Sequence, residues 1–100
     1  MYDLIKVFAK IELLSGENAR KNPIANGYRP LFNFKDEKTK ISGRIDLIEM
    51  PSFEPGMKGV VQITFIKGVI NDSHFTAGEQ FTFDEGIQIL GSGEIVGVIG

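Results

Sequence analysis

The chain's one histidine, His74, follows Asn71, Asp72 and Ser73, and this run holds the residue types of a nucleophile, a base and an orienting carboxylate. Spacing argues against that chemistry, because neighbouring residues on a strand point to opposite faces and Ser73 and His74 then share no proton. His74 therefore reads as a surface or turn residue, and a single histidine with no cysteine is a poor metal-ligand set. Asp84 and Glu85 are adjacent in the same way, whereas paired acid–base catalysis needs carboxyl groups that face each other. Gly86, Gly91 and Gly93 have the density of a phosphate loop. No Lys-Ser/Thr follows them and no helix is expected behind them, so they read as turn or bulge glycines. No constellation meets the geometry of an enzyme, and the expectation is a noncatalytic protein without cofactor or metal.

Binding residues stand out more clearly. In Tyr28-Arg29-Pro30 the proline restricts the residue before it, which presents Arg29 as a preorganised partner for a carboxylate or phosphate, or for an internal acid such as Glu85. Val69 and Ile70 lie isolated between Gly68 and Asn71-Asp72, where they either anchor a partner or cover one end of the fold. Phe8 and Phe53 are secondary candidates of the same kind.

These residues need a scaffold, and composition bounds it. The 100 residues suit a single domain spanning 1–100, and a hydrophobic share of 42% with 24% charged residues is ordinary for a folded one. With 11 basic and 13 acidic residues the net charge is -2, which supplies no long-range attraction to nucleic acid but leaves room for a local basic patch. The start Met1-Tyr2-Asp3-Leu4 is unlike a signal peptide, and no apolar run approaches the ~18 residues of a membrane span. The absence of cysteine fits a reducing compartment, so a cytoplasmic protein without a membrane partner is expected.

Strand periodicity dominates the chain. Ile5, Val7, Ala9, Ile11 and Leu13 alternate with Lys6, Lys10 and Glu12. Residues 15–27 are rich in Gly, Asn and Pro and read as an extended connection, after which Leu31 to Phe34 restarts a strand. Asp36 to Lys40 forms a charged turn before Ile41, Ile45 and Leu47. Residues 51–59 form another connection, followed by alternation at Val61, Ile63 and Phe65. Phe75, Phe81 and Phe83 around Ala77-Gly78-Glu79 suggest a strand, a tight turn and a strand, and Gly97 inside the last strand marks a bulge or close approach. The reading is all-β, a compact antiparallel barrel of six or seven strands or else a sandwich, with no internal repeat.

Glu17-Asn18-Ala19-Arg20-Lys21-Asn22-Pro23-Ile24 and then Asn26-Gly27-Tyr28-Arg29-Pro30-Leu31-Phe32-Asn33-Phe34 resemble the C-terminal β-barrel domain of translation elongation factor Tu. That family has Glu-Gly-Gly-Arg-His-Thr-Pro followed by Asn-Gly-Tyr-Arg-Pro-Gln-Phe. Ser42-Gly43-Arg44-Ile45, Glu54-Pro55-Gly56 and Phe83-Asp84-Glu85-Gly86 through Gly91-Ser92-Gly93 look like further family segments in the same order, so the resemblance runs from Lys6 to Ile99. It implies a freestanding barrel of the kind that packs on a GTPase domain and helps hold aminoacyl-tRNA, itself without catalytic residues. Where the family has Arg-Glu-Gly-Gly-Arg-Thr, this chain has Asp84-Glu85-Gly86-Ile87-Gln88-Ile89, which replaces two arginines at positions expected to be exposed.

The leading expectation is accordingly a noncatalytic protein-binding module, with an inhibitor or immunity-type protein as one subtype. The alternative is a translation accessory that binds tRNA or a GTPase-domain partner through Arg20, Lys21 and Arg29, aided by Lys38 and Lys40. The candidate partner-binding residues are Arg20, Lys21, Tyr28, Arg29, Val69, Ile70, Asp84 and Gln88. Exposed apolar residues such as Ile66 or Ile87 leave the chain as a monomer or a weak homo-oligomer.

Overall fold

The structure is a computed structural model and describes residues 3–16 and 22–99. The alternation read in the first segment forms β1 (Leu4–Leu13), with Ile5, Val7, Ala9, Ile11 and Leu13 all turned into the core. There follow β2 (Leu31–Phe34), β3 (Ile41–Leu47), β4 (Lys58–Ile66), β5 (Gln80–Asp84) and β6 (Ile89–Val98). They close in the order β1-β4-β3-β2-β5-β6, with β6 returning to β1 and every neighbouring pair antiparallel. Closure removes the free edges through which a strand of another chain could add. No helix among the described residues is long and apolar enough to cross a membrane.

Phenylalanine rings fill the interior. Phe32 meets Phe65 edge-on at 5.0 Å and Phe81 at 5.3 Å, and Phe83 lies 5.8 Å away. Each buried ring contributes about 2–3 kcal/mol by leaving water, and the edge-to-face contacts add to this. Such rings fit a six-stranded barrel only if some inward positions carry no side chain. A Cβ on Gly43 would lie 2.7 Å from Phe32, and one on Gly93 would lie 2.7 Å from both Phe81 and the Lys10 carbonyl. Gly91 is blocked in the same way by Phe83 and the Glu12 carbonyl. Gly91 and Gly93 are thus sites of close packing within β6 and not turn glycines, whereas Gly86, at φ 101°, does occupy a turn.

Two bulges adjust β6. Phe83 pairs with Gly91 and Asp84 with Ile89, which leaves Leu90 as the extra residue. Phe8 pairs with Gly97 and Ala9 with Ile95, so Val96 is extra, and of the two readings of Gly97 the bulge is present and the close approach is not.

Other expectations change. Residues around Phe75 form no strand: Asp72–His74 is a short 3-10 turn, and Phe75 and Ile70 close that end of the barrel as buried residues. Asn71 caps the turn by accepting a hydrogen bond from the Ser73 N–H, a local bond that competes with strand pairing. Phe53 is fully buried and belongs to the core, bridged to Ile24 by reciprocal backbone bonds of 2.9 Å. Pairing also begins before Leu31, because Tyr28 bridges Ile45 and the Asn26 side chain accepts from the Leu47 N–H.

Gly91→Ala is expected to destabilise the barrel by about 1–3 kcal/mol or more through overpacking. Gly97→Ala, where an added Cβ meets nothing within 4 Å, is expected to change stability by less than about 0.5 kcal/mol. Urea unfolding of the two variants checks the contrast.

Candidate functional site

The four-residue connection between β5 and β6, residues 85–88, protrudes at the end of the barrel where β2 begins. Its position is set by Asp84, which shares the outward face of β5 with Thr82 yet is only 3% exposed. The Lys40 ammonium donates to Asp84 Oδ2 at 2.6 Å and the Asn33 amide donates to the same oxygen at 2.7 Å. The Gly86 N–H donates to Oδ1 at 2.7 Å. Both carboxylate oxygens are thereby used, and one donor comes from the tip itself. Burial pushes the Asp84 pKa up, but the bonds from Lys40, Asn33 and Gly86 and the lysine charge outweigh it, so the group titrates below its ordinary value of 3.8. Asp84 was expected on the surface as a partner contact. It is a buried buttress, because β2, Lys40 and the tip converge on it.

Tyr28 and Glu85 extend the support. The Tyr28 hydroxyl donates to Glu85 Oε1, so the acid expected to pair with Arg29 is held by the tyrosine. Arg29 is exposed and forms no ion pair among the described residues. Gln88 is exposed on the tip beside Ile87, whose side chain is 96% exposed. Ile89 and Leu14 flank this end at 51% and 40% exposure, with the Leu14 N–H bonded to the Leu90 carbonyl. Arg20 and Lys21 lie outside the described residues. Val69 and Ile70 do not act together: Val69 is exposed, whereas Ile70 is buried and covers the far end of the barrel. Ile87 was read only as a residue for self-pairing. The signal for more was present, since Gly-Ile-Gln at a hairpin tip puts a β-branched apolar residue where turns favour polar ones.

A second polar cluster sits at that far end. His74 Nδ1 faces Glu79 at 2.5 Å and Nε2 faces Glu37 at 3.1 Å, while the ring packs on Phe34 at 5.4 Å between centroids. Two carboxylate acceptors call for two donors, which only the imidazolium supplies. The bond to Glu79 raises the His74 pKa above its ordinary 6.5, against the lowering by burial, and the Glu79 charge, the Glu37 bond and the Glu37 charge add to the rise. His74 is therefore not a free surface residue. It ties the β2–β3 hairpin to the segment before β5, and Glu37 also accepts from the Asn71 N–H. Ser73 is exposed and bonds neither ring nitrogen, so this cluster has no nucleophile–base pair.

An open groove of about 640 Å³ crosses the outer face of β1, β6 and β5. Lys10, Glu12 and Lys58 line one wall, Lys35 and Asn33 the other, and Ser92 and Thr82 the floor. No group of three or more His, Asp or Glu among the described residues is placed to hold a metal ion. No family model matches the chain, and no curated protein matches it.

Asp84→Ala is expected to cost about 2 kcal/mol, because the Asn33 amide and Gly86 N–H lose a buried acceptor while half-exposed Lys40 returns to water. The lowered Asp84 pKa contributes stability that is present above pH 3.8 and lost as pH falls through the folded-state value. For His74 the sign is opposite: its contribution is complete below pH 6.5 and disappears as pH rises through the raised value. The urea midpoint should thus fall with rising pH above neutrality, and His74→Gln should flatten that slope.

Proposed function

We propose that the chain is a noncatalytic protein-binding module, a relative of the elongation factor Tu C-terminal barrel, that engages its partner through the 85–89 tip with Ile87 as anchor. One observation carries the reading: Ile87 is 96% exposed on a connection whose base is bonded to a buried carboxylate. A fully hydrated isoleucine gains from burial, and a tip already held by Asp84 and Tyr28 loses little conformational freedom on docking. Anchors of this kind fill an apolar pocket and carry most of an interface's energy. Ile89 and Leu14 widen the apolar contact, and the partner is a protein with a pocket that admits one branched side chain.

An inhibitor or immunity-type role fits the same geometry, since a rigid projecting tip can occupy a cleft on a toxin or enzyme. The tRNA reading has less support. Glu85 brings a negative charge to the tip.

The test places a photo-crosslinking residue at position 87, and at Val69 as a control, in tagged protein incubated with native extract. A defined protein adduct from position 87 and none from position 69 is expected. Ile87→Ala should weaken capture of that protein at least ten-fold and leave thermal unfolding unchanged. Capture that is insensitive to Ile87→Ala, or recovery of salt-sensitive tRNA in place of protein, defeats the proposal.

A further inference from the structure

We propose that a second surface, the outer face of β1 with its neighbours β4 and β6, pairs two copies of this chain about a two-fold axis. In a barrel strand the outward positions are ordinarily polar. Here Leu4 and Phe8 occupy outward positions of β1 and are 54% and 38% exposed. Val60 on β4 and Val96 on β6 are 41% and 47% exposed. Register draws them together: Phe8 lies opposite Gln62 and Gly97, and Lys10 lies opposite Val60 and Glu94, so Val60 is diagonal to Phe8. The bulge makes Val96 the extra residue next to Phe8, and Gly97 has open space where a side chain would stand. The result is an apolar patch of Phe8, Val60 and Val96 across three adjacent strands, with a shallow seat beside the aromatic ring and with Lys6 between the patch and Leu4.

The charges around the face point to a second copy as occupant. Lys10 and Glu94 face one another across β1 and β6, yet form no ion pair among the described residues. A two-fold axis through the face brings the Lys10 of each copy to the Glu94 of the other, so both signs find partners at once. A strongly acidic or basic partner would satisfy only one of them. The closed barrel excludes pairing by strand addition, which leaves face-to-face contact as the route. A stable interface covers about 800 Å² per partner, roughly an eighth of the 6012 Å² of accessible surface. The surface is separate from the 85–89 tip, and loss of either leaves the other intact.

Sedimentation equilibrium over a wide concentration range tests the proposal. The unaltered protein should pass from monomer to dimer as concentration rises. Phe8→Asp should hold it monomeric without shifting its thermal unfolding, and Val96→Asp repeats the test should Phe8→Asp misfold. Lys10→Glu and Glu94→Lys should each weaken dimerisation at least ten-fold, because each brings like charges together. Mixed in equal amounts, these two variants should form a heterodimer, since the substituted charges are then complementary at both contacts. Monomer at every concentration overturns the proposal, as does a dimer indifferent to the Phe8 and Val96 changes. A mixture that associates no better than its separate components overturns the two-fold register.

Discussion

The structure depends on closing six short strands around a set of phenylalanine rings. Phe32 sits at the centre, in contact with Phe65, Phe81 and Phe83, and the strands can approach this cluster only where Gly43, Gly91 and Gly93 leave room. Bulk on one strand and bare backbone on its neighbour are two halves of one constraint. Because Gly91 and Gly93 both belong to β6, the same constraint governs where that strand meets β1 and closes the barrel.

Closure leaves two open ends, and each is fastened by a polar cluster. At one end Asp84 collects donors from β2, from Lys40 before β3 and from the tip after β5. At the other, His74 joins Glu37 and Glu79 over Phe34, with Ile70 and Phe75 buried nearby. Both clusters link segments distant in sequence, and both hold charged groups shielded from solvent, where a lost partner costs more than in water. Their titrations run in opposite directions, so the acid end weakens at low pH and the histidine end at high pH. The first cluster also bonds the segment that carries the exposed Ile87, through the Gly86 N–H.

Much of the fold was legible in the residues. Alternation in β1, the charged turn at residues 36–40 and the bulge near Gly97 all follow from local pattern, because a two-residue period and a turn's backbone angles are properties of a few consecutive residues. Reading failed where a long-range bond reversed local character. Asp84 looked like surface charge because nothing within several residues neutralises it; its partners Asn33 and Lys40 are 51 and 44 positions away. His74 does lie in a turn as read, but its carboxylate partners were not legible, since Glu37 is 37 positions distant. Phe75 matched a strand until the Asn71 cap diverted the backbone into a 3-10 turn.

The sequence by itself determined that the chain is built of short antiparallel strands, which residues of β1 and β4 face inward, and that no familiar catalytic spacing is present. It determined these because strand period, turn chemistry and ligand spacing are short-range. Only the tertiary structure decided that Asp84 is buried and Ile87 bare, that Val69 and Ile70 part company, and that Phe8, Val60 and Val96 share one outer face. Those outcomes depend on strand order and register, which bring distant residues together, and alternation alone names no neighbouring strand.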